Sequence, residues 1–167
     1  RRASRDLARL SVDERALLCD RALERFEARA EEIASDITRQ MGKPLSQARG
    51  EVKGMAGRWR HLQSIAKEAL ADVVLPKDGF ERRIVKEPLG VVLDLPAWNY
   101  PLLTAVNAII PAVLAGNAVV VKHSPRTPLC GEHFARAFAE ANAPRGAVAA
   151  VFFDYERTER LVGDPRV

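Results

Sequence analysis

Residues 90–128 read GVVLDLPAWNYPLLTAVNAIIPAVLAGNAVVVKHSPRTP, an almost continuously apolar stretch with two polar interruptions. Two short runs within it, 91–93 and 118–121, are rich in β-branched residues, which is typical of strands buried in a parallel sheet. The segment between these runs is long enough for one crossover helix. The stretch therefore predicts a β-α-β unit at the centre of an α/β fold with an open parallel sheet.

Both polar interruptions directly follow a predicted strand. The first is PAWNYP at 96–101, and the second is KHSP at 122–125. Ligands of open parallel sheets bind just beyond the carboxyl ends of the strands. We therefore expect Trp98, Asn99 and Lys122 to stand on one rim of the sheet, where they border a ligand site.

Two long amphipathic helices are predicted ahead of the sheet. The first begins at a capping box, in which Ser11 is the N-cap and Glu14 the third helical residue, and it ends at Gly42. Its length is unusual for a single globular helix, which indicates a break near Arg29. The second follows Pro44 and carries an apolar stripe that should pack in the core.

The crossover helix of the β-α-β unit should begin at Pro101 and end at Gly116. Because proline has no backbone N–H to donate, we expect a kink or a break at Pro111. The elements expected after the unit are a helix, a third parallel strand and a short helix, at 127–142, 147–153 and 155–162. Flanking helices and right-handed crossovers complete the predicted sheet.

Composition narrows the possible partners. The net charge is +4 and the sequence pI is about 9.4, but arginines such as Arg15 and Arg21 alternate with carboxylates, which indicates a solvated helix face. We therefore expect no nucleic-acid partner.

No apolar run approaches the ~20 residues that span a bilayer, so no membrane association is expected. The two cysteines, Cys19 and Cys130, are too few for a disulfide framework or a familiar metal cluster, which predicts a cytoplasmic protein without a metal site.

Several motifs occur in a characteristic order. They are MGKP at 41–44, EV at 51–52, EPLGVV at 87–92, AWNYP at 97–101 and PAVLAGNAVVVKHSP at 111–125. In this order they resemble the amino-terminal, cofactor-binding half of the aldehyde dehydrogenase superfamily. The resemblance extends from about Ser11 to Val167. It implies oxidation of a small aldehyde to a carboxylic acid through a cysteine thioester, with NAD or NADP as cofactor.

The resemblance also implies how the chain is organised. It places the helical part of the cofactor-binding domain at 1–75, an exposed ribbon of the oligomerisation region at 76–89, and the parallel cofactor-binding core at 90–167. The whole enzyme is then expected to form a homodimer or homotetramer. Its catalytic Cys and Glu would lie beyond residue 167, so the chain by itself is predicted to be inactive. Neither Cys19 nor Cys130 is a convincing nucleophile, although a helix dipole could lower the pKa of Cys130.

Asn99 is the predicted catalytic residue. From the residues alone, its amide could either cap the helix at Pro101 or donate to an oxyanion that develops on the substrate. The resemblance favours the oxyanion. The cofactor-binding residues that it implies are Leu95, Pro96, Trp98, Asn99, Lys122, His123, Ser124 and Pro125.

The cofactor turn departs from the common pattern of the family. No G-x-G-x-x-G motif follows the first strand, and the family is known to bind its dinucleotide without one. Pro125 stands where NAD-preferring members often have a Glu that binds the ribose hydroxyls, so NADP tolerance is expected. Lys122 could contact the ribose or simply reach solvent, and His123 could approach a 2′-phosphate or be structural.

Two other functions remain open from the sequence. One is a coenzyme-A-acylating or phosphate-dependent semialdehyde reductase of the same superfamily. The other is a nucleotide-binding module without catalysis. The residues that separate these functions from aldehyde oxidation are expected beyond residue 167.

Overall fold

Four helices precede the sheet in the computed structural model, which describes residues 1–77 and 79–167. They are α1 (Arg2–Ala8), α2 (Val12–Glu27), α3 (Ala30–Met41) and α4 (Leu45–Ala69). The expected break near Arg29 is confirmed, because α2 and α3 are separate helices on either side of it. The sequence analysis did not predict α1.

The local signals at the helix ends are confirmed. Ser11 Oγ accepts from the N–H of Glu14 at 3.2 Å, and the Glu14 carboxylate accepts from the N–H of Ser11 at 2.7 Å, which is a complete capping box. Gly42 ends α3 with φ +78°, a left-handed conformation that glycine adopts without strain. The capping box thus begins α2, and Gly42 separates α3 from α4.

A two-stranded ribbon links the helices to the sheet. It pairs β1 (Val73–Val74) with β2 (Arg83–Ile84) in antiparallel register. The sequence PKDG at 76–79, which is typical of a turn, lies between them in the chain, and its Asp78 is outside the described residues. All four strand residues are exposed, as expected for a ribbon.

The sheet is parallel, in the order β3-β4-β5, as predicted. Its strands and their helices are β3 (Val91–Asp94), α5 (Pro101–Leu114), β4 (Ala118–Val121), α6 (Pro128–Glu140), β5 (Val148–Ala150) and α7 (Tyr155–Val162). Of the kink or break expected at Pro111, the break does not occur, since α5 runs through this residue to Leu114. Most of α5 is buried, and this packing outweighs the one hydrogen bond that Pro111 cannot donate.

The core lies between the helices and one face of the sheet. Trp59 of α4 stacks on Phe134 and Phe138 of α6, with ring centroids 6.0 Å and 5.7 Å apart. Phe26 of α2 meets the edge of the same Trp59 ring. The apolar stripe predicted for α4 therefore lies in the core, where it packs against α2 and α6.

Arg15 corrects the prediction of a fully solvated face on α2. Its side chain is buried, and its Nε donates to the Leu114 carbonyl at 2.7 Å. Its Nη1 donates to the carbonyls of Leu7 and Leu10 at 3.2 Å and 2.6 Å. The charge is compensated by carbonyl groups at helix ends, a partner that a sequence pattern does not show.

A search of residues 1–77 and 79–167 finds no helix that combines the length and the apolar character needed to cross a membrane.

Candidate functional site

The three parallel strands end together at one rim of the sheet. Asp94 pairs in register with Val121, and Val121 pairs with Ala150. Backbone hydrogen bonds continue one residue further, from the Lys122 N–H to the Asp94 carbonyl at 2.9 Å. The turns that follow β3 and β4 therefore leave the sheet side by side.

Contacts between the two turns bring most of the predicted site residues together. The N–H of Ser124 donates to the Pro96 carbonyl at 3.3 Å. The Arg126 guanidinium lies 4.6 Å from the centroid of the Trp98 ring, a cation–π contact. Pro96 is buried beneath this surface, whereas Leu95 and Trp98 are exposed on it.

Asn99 lies exposed on the first turn, just before α5. Its side-chain amide has no hydrogen-bond partner within residues 1–77 and 79–167. It does not cap α5. The N-cap residue is Tyr100, and the N–H of Leu102 in the first turn donates to a carboxylate of another helix. The amide is therefore free to donate to a ligand.

The carboxylate at the start of α5 belongs to Glu51 of α4. Glu51 Oε1 accepts from the N–H of Leu102 at 2.9 Å, and its Oε2 is ion-paired with Lys43. Lys43 Nζ also donates to the main-chain carbonyl of Asn99 at 3.0 Å. In the sequence, these two residues stood out only as members of the MGKP and EV motifs, without a role of their own. The available signal was Glu51 at a core position, four residues before Met55 on the buried face of α4.

Lys122 is mostly buried at the end of β4. Its Nζ lies 5.4 Å from the centroid of the Tyr155 ring, at the start of α7. No side-chain hydrogen bond of this ammonium is found in the described part of the chain. Its three donors are therefore available to hydroxyl or phosphate oxygens at the rim.

His123 points into the protein. Its Nε2 is 3.0 Å from the Pro101 carbonyl, and its Nδ1 accepts from the N–H of Ser124 at 3.0 Å. Nδ1 is also 3.0 Å from Thr127 Oγ1. A carbonyl can only accept, so this arrangement requires the proton on Nε2. Burial lowers the pKa of His123, which keeps the ring neutral and removes it as a partner for a phosphate.

Ser124 and Pro125 complete the second turn. Ser124 is half-buried, and its Oγ accepts from the N–H of Arg126 at 3.3 Å. Pro125 is exposed beside it. Its ring offers no hydrogen-bond acceptor, so this turn lacks a carboxylate that could repel a phosphate.

Asp94 is a residue of this rim that sequence reasoning did not single out. Its carboxyl is buried, and its Oδ2 has no hydrogen-bond partner in the described residues. Burial raises the pKa of Asp94 to about 7. The available signal was a carboxylate inside an apolar strand, a position that aspartate seldom occupies.

The cysteines lie away from any exposed surface of the rim. Cys19 and Cys130 are both buried, and burial raises the pKa of Cys130 to about 12. The lowered pKa considered for Cys130 is therefore wrong, since desolvation outweighs the helix dipole. The pKa of Cys19 is also raised by burial. Both thiols stay protonated, as expected for residues that are not nucleophiles.

Comparison with known proteins identifies the family and supports the fold. The model of the aldehyde dehydrogenase family matches residues 1–167. The chain is 33% identical, over 99% of its length, to a succinate-semialdehyde dehydrogenase [NADP(+)] of Deinococcus radiodurans. It superposes with a TM-score of 0.90 on succinic semialdehyde dehydrogenase from Streptococcus pyogenes in complex with NADP+, at 25% identity over 99% of the chain. A NAD-dependent benzaldehyde dehydrogenase from Corynebacterium glutamicum gives a TM-score of 0.85 at 28% identity over 95% of the chain.

These proteins are much longer than the chain described here. The match covers 35% of the Deinococcus protein, 37% of the Streptococcus chain and 35% of the Corynebacterium chain. The chain thus spans about a third of the length of these proteins.

Proposed function

The chain belongs to the aldehyde dehydrogenase family, and we propose on that basis that it is the cofactor-binding part of an NAD(P)-dependent aldehyde dehydrogenase. The observation that carries the proposal is the exposed amide of Asn99, which has no hydrogen-bond partner among the described residues, on a rim that also presents Lys122. One group can stabilise a developing oxyanion, and the other can bind a cofactor. An amide that only capped α5 would be occupied by the helix.

In this proposal Asn99 is the catalytic residue that the chain supplies. A cysteine thiolate from the remainder of the enzyme attacks the aldehyde carbon, and the former carbonyl oxygen gains negative charge. The Asn99 amide donates to this oxygen and stabilises the charge where it forms. NAD(P)+, when bound, would accept the hydride lost from the former aldehyde carbon, which leaves a thioester, and hydrolysis of this thioester would free the thiol and give the carboxylic acid.

The cofactor contacts proposed for the rim follow from the available side chains. The Lys122 ammonium, which makes no hydrogen bond within the described residues, can donate to ribose hydroxyls or a phosphate. Leu95, Pro96 and Trp98 supply apolar surface beside it, and Ser124 and Pro125 form the adjacent turn. These groups fit a nucleotide. Because Pro125 has no carboxylate that would repel a 2′-phosphate, the proposal includes use of NADP. His123 is left out as a phosphate contact, because its ring nitrogens are occupied.

The proposal extends to the assembly. We assign 1–75 to the helical part of the cofactor-binding domain and 90–167 to its parallel core. The segment 76–89 is assigned to oligomerisation; it contains the exposed strand Arg83–Ile84, which pairs with the exposed strand Val73–Val74 just before the segment. A homodimer or homotetramer is the expected state of the whole enzyme, since an exposed ribbon can pair with another chain.

The substrate proposed is a small aldehyde. Two of the similar proteins are succinate-semialdehyde dehydrogenases, and a third is a benzaldehyde dehydrogenase, so both aldehydes belong in the first assay. The assay follows NAD(P)H formation by the complete protein with each cofactor. Added coenzyme A or phosphate distinguishes acyl transfer from hydrolysis, because only hydrolysis yields the free acid without either addition.

Lys122→Met tests the role of the rim in that assay. Loss of a charged donor to the cofactor should raise the cofactor KM about tenfold, with a much smaller change in kcat. Lys53→Met removes an exposed lysine from α4 and is the matched control. Absence of aldehyde-dependent NAD(P)H formation would contradict the proposed function, and an unchanged cofactor KM in Lys122→Met would contradict the proposed contact.

A further inference from the structure

We propose that the buried ion pair of Lys43 and Glu51 positions Asn99 for catalysis, so that both are positioning residues of the enzyme. This inference rests on the function proposed above. Neither side chain belongs to the rim itself, and each acts through the main chain of residues 99–103. Their role is to hold the segment that presents the Asn99 amide.

Glu51 fixes the amino end of α5. It is buried on α4, and its Oε1 accepts from the N–H of Leu102 at 2.9 Å and lies 3.5 Å from the N–H of Leu103. A carboxylate at this place satisfies N–H groups that have no partner within the helix. It also interacts favourably with the positive end of the helix dipole. Glu51 therefore does for α5 what a capping side chain would otherwise do.

Lys43 fixes the residue just before the helix. It follows the left-handed Gly42, which turns the chain out of α3, and its side chain is buried. Its Nζ donates to the Asn99 carbonyl at 3.0 Å and lies 4.2 Å from the centroid of the Tyr100 ring. The same ammonium is paired with Glu51. The two side chains thus form one continuous bridge between Asn99 and Leu102.

The bridge leaves the Asn99 amide free while restraining its main chain. The side chain has no partner of its own in the described residues, so the restrained main chain sets the position from which the amide can reach the substrate. An oxyanion donor contributes fully only when it is held in place before the reaction. Burial of two charges has a desolvation cost. Here the hydrogen bonds that offset this cost all end on main-chain groups next to the catalytic amide.

The test compares variants of the complete protein. Lys43→Met removes the bond to the Asn99 carbonyl, and Lys43→Met with Glu51→Gln does so without an unpaired buried charge. Lys67→Met is the matched control, because Lys67 also pairs with a carboxylate of another helix, Asp13 at 2.8 Å, but is exposed. We expect kcat to fall roughly 10- to 100-fold in both Lys43 variants, measured well below their melting temperatures, and to stay unchanged in the control.

Repeating the comparison in an Asn99→Ala background separates positioning from general stability. If the pair acts through Asn99, the Lys43 substitution should lower kcat less than about twofold there, because the group that it positions is gone. A merely structural role predicts the same fold-change in both backgrounds. Equal fold-changes, or a wild-type kcat in the double variant, would overturn the inference.

Hydrogen exchange provides a readout that does not depend on activity. The N–H groups of Leu102 and Leu103, which face the Glu51 carboxylate, should exchange faster in the Lys43→Met, Glu51→Gln protein than in wild type, and remain protected in Lys67→Met. Unchanged exchange would overturn the inference even if kcat fell. Faster exchange in a protein without aldehyde-dependent NAD(P)H formation would support the restraint and reject the proposed function, so the two failures are distinguishable.

Discussion

The carboxyl group of Asp94 shows how a single buried side chain can make stability depend on pH. Its pKa is raised to about 7 by burial, whereas an ordinary aspartate titrates near 4. The folded protein therefore holds a proton on Asp94 over a pH range in which the unfolded chain has lost it. Stability contributed by the protonated carboxyl is complete below about pH 4 and declines as the pH rises to about 7.

Replacement by Asn should remove this dependence. Asp94→Asn keeps the shape of the side chain but cannot ionise, so it should be more stable than wild type above about pH 7, by on the order of 2 kcal/mol after allowance for partial solvation. The difference should disappear below about pH 4. Urea unfolding of both proteins across this range measures it. A pH-independent difference would show that Asp94 is not protonated in the folded state.

Pro125 is the residue on which the cofactor preference is predicted to depend. A Glu at this exposed position could accept from both ribose hydroxyls and would repel a 2′-phosphate. Pro125→Glu should therefore shift the ratio of kcat/KM toward NAD by roughly 1–3 kcal/mol. Steady-state kinetics with both cofactors measure the shift. An unchanged ratio, or a wild-type enzyme that rejects NADP, would mean that other residues select the cofactor.

At the scale of elements, Arg15 in the first turn of α2 joins this helix to the carboxyl ends of α1 and α5. Its donors reach the carbonyls of Leu7, Leu10 and Leu114. The Leu7 carbonyl also accepts from the N–H of Leu10, whereas no backbone donor to the Leu10 or Leu114 carbonyl is found in the described residues. The arrangement explains why a charged residue lies in the interior of the helical layer.

Arg15→Met should therefore destabilise the protein although it adds apolar surface. Carbonyls left without a donor make a loss of roughly 2–4 kcal/mol the expected result. Arg21→Met, on an exposed position of the same helix, should change the stability by less than about 0.5 kcal/mol. Denaturant unfolding of the two variants makes the comparison. Equal stabilities would show that Arg15 does not tie the helices together.

Elements were predictable where their signals are local. The capping box at Ser11, the left-handed Gly42 and the β-branched strands all act over a few residues, and each was confirmed. Arg15 and Glu51 could not be placed from the sequence, because their partners are carbonyl or N–H groups far along the chain. The uninterrupted α5 at Pro111 has the same cause, since tertiary burial offsets a local defect.

At the scale of the whole molecule, the rim is predicted to be one side of an active site. The chain spans about a third of the similar proteins, and its buried Cys19 and Cys130 have raised pKa values. That the chain by itself lacks aldehyde-oxidising activity remains a prediction. The rim residues Asn99 and Lys122 could be placed from the sequence, because ligands of parallel sheets bind beyond the carboxyl ends of the strands. The orientation of His123 could not be predicted, because it depends on contacts with residues distant in the sequence, such as the Pro101 carbonyl.

The central claim is that Asn99 stabilises the oxyanion, and Asn99→Ala in the complete enzyme tests it most directly. Removal of one oxyanion donor should lower kcat by about 10²–10³-fold. The melting temperature and the affinity for the cofactor should stay close to wild type, because the amide is exposed and does not cap α5. A variant that keeps its kcat but loses about 1 kcal/mol of stability would contradict the account and assign Asn99 to capping instead.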